Sequence, residues 1–245
     1  MFPDLQIWLN HFEYHSESHR RMPQALPGVL TPDEHRLIAD SIATFQLGEQ
    51  SEGATLLRAA QRYEKTHDAA PLAAITALFI REEQHHAALL SAFMDEHGIA
   101  HKRRDWTDHI FRGVRRLAGY ETCLSVLVTA ELIGNVYYRA LEAATGCRPL
   151  QMLCRVLVAD ELAHIAFESD LLIAIRADKP APFRFVAGLA HRGFFACTAL
   201  VVWLTHRAVL RRAGYRMRTF LRACNAQYSF YLGSPRLAHD SPQYP

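Results

Sequence analysis

Two stretches of the chain each place a Glu and a His three residues apart within an apolar, helix-favouring run. They read REEQHHAALL at 81–90 and ADELAHIAFE at 159–168. On an α-helix, residues i and i+3 lie on one face, so Glu83 and His86 share a face, as do Glu161 and His164. Burying such groups is costly unless they pair or bind a metal. Two pairs that face each other could hold two metal ions.

The rest of the sequence indicates one all-α domain. The 245 residues suffice for a large core, and no run of alternating apolar and polar residues suggests a strand. Thr31-Pro32-Asp33-Glu34 predicts a capped helix start, and Gly98 and Gly214 are expected to end helices. The predicted helices cover about 31–67, 71–98, 107–145 with a break near Gly119, 149–178, 183–212 and a last segment to 232, while 1–30 and 233–245 look less regular.

Short connections at 68–70 and 146–148 predict two antiparallel hairpins, and hence a four-helix bundle. Ionisable residues interrupt the apolar stripes of all four helices at comparable depth: Glu49, Glu52, Glu83, His86, Glu131, Glu161 and His164. The hairpins also match in spacing, because Glu52 to Glu83 is 31 residues and Glu131 to Glu161 is 30. We therefore expect an N-terminal extension over 1–30, the bundle over 31–178 and a basic helical extension over 179–245.

The order Glu, Glu-x-x-His, Glu, Glu-x-x-His resembles the ferritin-like superfamily of di-iron and di-manganese carboxylate proteins. The resemblance covers roughly residues 31–178 and implies a ferritin-like antiparallel four-helix bundle, here with additional C-terminal helices. It implies two bound Fe ions, or Mn, or a mixed Fe/Mn pair, since oxygen and nitrogen donors suit these metals. The implied ligands are Glu52, Glu83, His86, Glu131, Glu161 and His164.

Several neighbours of these ligands have open roles. Glu49 is an alternative or additional ligand to Glu52, because the two are themselves three residues apart. Glu82 and His85 also form a Glu-x-x-His pair, but the face that carries Glu83 is bulkier and fits a core better. Two further residues, Glu168 and Tyr138, are expected beside the ligands rather than on the metal.

The resemblance implies an oxygen-activating non-haem di-iron oxidase or oxygenase that acts on O₂ and a small organic substrate, with an external electron donor where one is needed. The alternative is a ferritin-like protein for iron handling, by ferroxidation or storage, or for interaction. The chain lacks the paired CxxC of a complete rubrerythrin. Its two extra helices are more than a plain storage ferritin needs.

Charge and cysteine usage bear on location and partners. Five widely spaced cysteines without a CxxC pair, and no apolar leader, indicate a reduced, cytoplasmic protein. The longest strongly apolar run, Phe194–Leu204, is too short to span a bilayer, so no membrane contact is expected. Residues 179–239 hold nine Arg and one Lys but no Asp or Glu. This segment could cover the bundle, form a homodimer or bind an anionic partner.

Overall fold

The computed structural model of the protein describes residues 3–18, 28–50, 53–103 and 119–233. Over these ranges the chain forms eight α-helices and no β-strand, which confirms the all-α class. The helices are α1 (Leu5–Ser18), α2 (Pro32–Glu49), α3 (Ala54–His67), α4 (Leu72–Glu96), α5 (Tyr120–Ala144), α6 (Arg148–Ala177), α7 (Ala181–Arg212) and α8 (Met217–Leu232). Glu52 and the predicted helical residues 107–118 lie outside the described residues.

Most helix ends lie where the sequence predicts them. Thr31 caps α2 and forms a capping box with Glu34. Gly98 and Gly214 follow α4 and α7 at φ +65° and +88°, the left-handed conformation that commonly ends a helix. Pro149 lies in the first turn of α6, where its missing N–H breaks no helical hydrogen bond.

The continuous first helix predicted over 31–67 is wrong, because α2 ends at Glu49 and α3 begins only at Ala54. Gly53 separates them at φ +64°, and a Cβ at this position would lie 2.5 Å from Ile80 Cγ2 of α4. The backbone therefore approaches α4 closely in a conformation that favours glycine. Because this contact is with another helix, the apolar periodicity of residues 31–67 does not reveal it.

The irregular structure expected over 1–30 is also corrected, since residues 5–18 form α1, which packs along α4. Phe12 is fully buried, and its ring centroid lies 6.3 Å from that of Phe79 and 5.9 Å from that of His164. An aromatic anchor near the middle of α1 thus holds this helix on the bundle and covers one of the Glu-x-x-His histidines.

Contacts along α2 and α4 establish that these helices are antiparallel. Lys102, which follows α4, donates a hydrogen bond to Thr44 of α2 at 2.7 Å. Glu49, at the end of α2, interacts electrostatically with Glu83 in the middle of α4. Later residues of α2 therefore lie beside earlier residues of α4.

The other two bundle helices complete the arrangement. Ser41 of α2 bonds Tyr137 of α5 at 2.7 Å, and Glu34 accepts a hydrogen bond from Gly146 just after α5, so α2 and α5 are antiparallel. Residues 145–147 join α5 to α6, which return against each other. Thus α2 and α6 run in one direction, and α4 and α5 in the other.

Helices α7 and α8 form a second antiparallel layer on the bundle, α7 against α2 and α5, and α8 against α5 and α6. The Trp203 and Phe220 ring centroids lie 6.0 Å apart, and those of Phe195 and Tyr228 lie 4.8 Å apart. By length and composition alone, α7 is long and apolar enough to cross a membrane, and most of its apolar stretch is not buried. The run Phe194–Leu204 is only part of this apolar helix.

Candidate metal centre

The two Glu-x-x-His pairs meet inside the bundle. Glu83 and His86 project from α4 toward Glu161 and His164 of α6, and one ligand atom from each residue lies within 4.8 Å of the others. Three of the four side chains are buried, and Glu83 is partly buried. The sequence predicts this set from residue spacing on each helix, and the antiparallel packing of α4 and α6 brings the two pairs together.

Both imidazoles direct Nδ1 into the cluster. His86 Nδ1 lies 3.2 Å from Glu161 Oε1, and His164 Nδ1 lies 2.9 Å from Glu83 Oε1. Each histidine also approaches the Glu three residues before it, at 3.7 Å in α4 and 3.4 Å in α6. The four groups therefore converge on one small volume from two facing helices.

The opposite ring nitrogens point away from the cluster toward two further acids. His164 Nε2 lies 2.8 Å from Glu82 Oε2, and His86 Nε2 lies 3.3 Å from Asp160 Oδ2. Each acid immediately precedes the Glu of the opposite helix's pair, so the arrangement is reciprocal. A carboxylate on Nε2 keeps the proton on that nitrogen and leaves the Nδ1 lone pair for a metal.

These acids are functional candidates that sequence reasoning did not assign. In the sequence, Glu82 stands out only as the start of a competing Glu-x-x-His pair, and Asp160 belongs to no such pair. The available signal was an acid directly before the Glu of both motifs, EExxH and DExxH. The pattern becomes informative only once the two helices are known to face each other.

Several inward atoms of the cluster have no hydrogen-bond partner of acceptable geometry among the described residues: Glu83 Oε1, His86 Nδ1, Glu161 Oε1, Glu161 Oε2 and His164 Nδ1. Buried polar atoms are normally satisfied, because an unpaired one costs about 1–3 kcal/mol. Carboxylate oxygens and imidazole nitrogens that converge without partners fit a bound cation. The described residues thus form a buried cluster that could hold a metal ion.

Two more carboxylates reach the cluster from α5 and α2. Glu131 is buried, and its carboxyl group lies beside that of Glu161. Glu49 is half-buried, its Oε1 accepts a 2.6 Å hydrogen bond from Tyr138 Oη, and it interacts electrostatically with Glu83 and Glu161. The structure therefore brings Glu49, Glu131 and Tyr138 to the two predicted pairs.

The electrostatics of the centre indicate excess negative charge. Burial and the carboxylates of Glu83 and Glu161 raise the pKa of Glu49 well above its usual range, and similar causes raise that of Glu131. Although burial opposes ionisation, the close approach of Glu131, His164 and His86 holds the pKa of Glu161 well below its usual range. A bound cation would relieve the repulsion that raises the first two.

Glu168, expected beside the ligands, is buried one turn after His164 and interacts electrostatically with Glu131. Phe12 and Phe79 pack on His164 with ring centroids 5.9 Å and 4.7 Å away. Aromatic rings thus limit water access on one side of the centre.

Comparison with protein-family models, curated proteins and solved structures gives no match to this chain.

Proposed function

We propose that the protein is an oxygen-activating dinuclear non-haem metalloenzyme, an oxidase or oxygenase that acts on a small organic substrate. The observation that carries the proposal is the buried convergence of Glu83, His86, Glu161 and His164 within 4.8 Å. Two further carboxylates, Glu49 and Glu131, interact electrostatically with Glu83 and Glu161 and could extend this set to six. Six oxygen and nitrogen donors suit a pair of iron or manganese ions.

The helix directions support a ferritin-like bundle. In that class of fold, one long crossover connects two helices that run in the same direction. Here α4 and α5 run in the same direction, and the connection between them spans 97–119. The short turn at 145–147 joins α5 and α6 into an antiparallel hairpin, as expected for a ferritin-like bundle.

We infer that Glu49 is the first-helix ligand, because it interacts electrostatically with Glu83, Glu161 and His86. When bound, the metal pair would supply the redox chemistry with O₂. Side chains of the protein would place the protons around the metal pair. Glu82 and Asp160 keep Nε2–H on His164 and His86, and Tyr138 Oη donates to Glu49. The apolar side formed by Phe12 and Phe79 keeps bulk water from the histidine edge.

The proposal is tested by metal analysis and oxygen uptake on the full chain. We expect about two iron or manganese ions per chain and O₂ consumption by the anaerobically prepared ferrous protein. The variant Glu83→Gln combined with Glu161→Gln should lose both. Glu96→Gln, an exposed carboxylate on the same α4 helix, is the matched control and should behave like wild type.

Two outcomes would contradict the proposal. Metal at trace levels only, even after iron loading, would exclude the dinuclear centre. Iron that accumulates far beyond two ions per chain in a large particle would favour storage over catalysis. A ferroxidase would be recognised by oxygen uptake that ends when the added ferrous iron is consumed, whatever organic compounds are supplied.

A further inference from the structure

The outward side of α7 is apolar along most of its length. We define the α7 outer face as Val186, Leu189, Gly193, Cys197, Leu200 and Leu204, which follow one another at helical spacing. Leu189 is 64% exposed, and Phe183 and Phe185 at the start of the helix are 68% and 72% exposed. No charged residue lies on this face before Arg207. A contiguous exposed apolar face that extends over several helical turns often marks an interaction site.

The opposite side of α7 is packed on the bundle. Phe195, Ala199, Trp203 and His206 are buried, and Ser41 of α2 bonds His206 Nδ1 at 2.8 Å. These contacts attach α7 lengthwise to α2 and α5. The helix is therefore placed to lie along a surface rather than to leave the bundle and cross a bilayer alone.

A basic cluster adjoins one end of the α7 outer face. Arg207 and Arg211 continue the same face, and the antiparallel α7–α8 hairpin brings the start of α8 to this end. All members of the cluster are exposed, and none forms an ion pair with another described residue: Arg207, Arg211, Arg212, Arg218 and Arg222. An apolar stripe with adjoining cations and no acid is complementary to an anionic, partly apolar surface.

A second copy of the chain fits this face less well. Antiparallel pairing of two α7 helices would bring Arg207 and Arg211 of one copy against the start of α7 in the other, where the exposed side chains are apolar or basic and Lys179 is already paired with Glu121. Parallel pairing would bring the basic clusters together. Because residues 179–239 contain no Asp or Glu, the segment itself offers no countercharge in either arrangement.

We propose that the α7 outer face docks flat on an anionic lipid bilayer. The apolar side chains enter the boundary between headgroups and acyl chains, while the arginines extend to lipid phosphates. This function goes beyond the proposed oxygen chemistry and does not depend on it. It differs from the sequence-based expectation of no membrane contact, because that expectation concerned only segments that span a bilayer.

Cys197 supplies a direct test, because it lies in the middle of the α7 outer face and is exposed, while the other four cysteines are buried. An environment-sensitive dye on Cys197 of the full chain should shift to shorter wavelength with vesicles of phosphatidylcholine and phosphatidylglycerol. The shift should be absent with pure phosphatidylcholine and reversed by high salt. An unchanged spectrum with both vesicles, together with no co-sedimentation of unlabelled protein, would overturn the proposal.

Variants separate the apolar and the electrostatic contributions. Leu189→Glu should lower vesicle binding at least about tenfold. Ile7→Glu on α1, equally 64% exposed, is the matched control and should leave binding unchanged. Replacing Arg211 and Arg212 by Gln should reduce binding by about fivefold for each charge removed. Equal losses from Leu189→Glu and Ile7→Glu would contradict the assignment to this face.

Other occupants give different results. If the face is a dimer interface, light scattering without lipid will show a dimer that Leu189→Glu converts to a monomer, and vesicles will not bind. If nucleic acid is the partner, RNA will be retained by wild type and Leu189→Glu alike but lost with the Arg211 and Arg212 changes. Protein that resists alkaline extraction from vesicles would indicate a spanning helix. Each of these results would overturn the proposal.

Discussion

Each histidine of the candidate centre is held between two acids of different role. Glu161 and Glu83 lie at the Nδ1 atoms, and Asp160 and Glu82 lie at the Nε2 atoms. The outer acids fix the ring orientation and the tautomer, so they would act on a bound metal through the imidazoles. Without a metal, however, four acids around two histidines repel one another.

The first prediction concerns Asp160→Asn. Asparagine can still accept from His86 Nε2, but it removes a negative charge and makes the imidazole a weaker ligand. Metal affinity should fall about ten- to a hundredfold, as measured by competition with a chelator. The metal-free variant should be as stable as metal-free wild type or more stable. A loss of stability without a change in affinity would show that Asp160 only supports packing.

The second prediction concerns Tyr138→Phe. The change removes the 2.6 Å hydrogen bond to Glu49 and leaves a carboxylate oxygen without its donor. We expect a loss of about 1–3 kcal/mol in the free energy of unfolding, measured by urea titration of the metal-free protein. Tyr14→Phe, at a side chain that is 66% exposed, is the control. Similar losses in the two variants would contradict a role for this bond.

At the scale of elements, Glu34 joins the start of α2 to the α5–α6 turn. Its Oε2 accepts from the Thr31 amide at 2.9 Å, and its Oε1 accepts from the Gly146 amide at 2.6 Å and the Thr145 hydroxyl at 3.0 Å. The capping box is a local motif that sequence reveals. The contact with the distant turn, 112 residues away, is not local and was not predicted.

The third prediction concerns how the stabilisation from the contact between Glu34 and the α5–α6 turn depends on pH. Although partial burial opposes ionisation, hydrogen bonds from Gly146, Thr31 and Thr145 lower the pKa of Glu34 to about 2. A lowered folded-state pKa stabilises the fold above the unfolded value near 4.5 and loses that effect as pH falls toward 2. Glu34→Gln should reduce unfolding free energy by about 1–2 kcal/mol at pH 7, discounted for solvent exposure. The difference from wild type should shrink when urea titrations are repeated near pH 2.5. A constant difference would contradict the ionic contribution.

The fourth prediction concerns the attachment of α7 to α5. Burial and the nearby Arg176 lower the pKa of His191 to about 4, and its Nε2–H donates to Thr129 at 3.0 Å. Since the unfolded residue binds a proton near pH 6.5, this site loses stability as pH falls from 6.5 toward 4. His191→Gln should flatten that part of the wild-type stability profile, by at most about 3 kcal/mol, in urea titrations across this range. If the stability profiles of wild type and His191→Gln run parallel across this pH range, His191 is not the source of the pH dependence.

Helix boundaries show which elements a sequence can reveal. Thr31, Pro149, Gly98 and Gly214 act through local backbone chemistry, so the helices that they bound could be predicted within a few residues. The break at Gly53 depends on the close approach of Ile80, which belongs to another helix. Asp4 caps the start of α1 by accepting from the Gln6 amide at 3.0 Å, but the place of this helix on the bundle is fixed by the burial of Phe12.

At the scale of the whole molecule, the same distinction applies to the site and the surface. The spacing on α4 and α6 predicts Glu83, His86, Glu161 and His164, because each pair is local to one helix. The roles of Glu82 and Asp160 depend on how the two helices face each other, and so could not be read from either alone. Likewise, the sequence shows that α7 is apolar, but only packing shows which side is left exposed.

The last prediction links the centre to the stability of the complete bundle. The candidate ligands come from α2, α4, α5 and α6, so a metal that binds the folded state but not the unfolded chain stabilises all four helices together. At free metal about a hundred times the dissociation constant, the gain is about 2.7 kcal/mol. For a chain of this size, that corresponds to a rise of about 5–10 °C in the unfolding temperature.

Calorimetry of metal-loaded and chelator-treated protein measures this shift. The double variant Glu83→Gln and Glu161→Gln should show no metal-dependent rise. Because it removes charge from a crowded buried cluster, its metal-free form should unfold no lower than metal-free wild type. If the variant instead unfolds much lower and wild type does not respond to metal, the carboxylates hold the bundle together by hydrogen bonding alone. The metal-centre interpretation would then fail, while the helix packing around it would still stand.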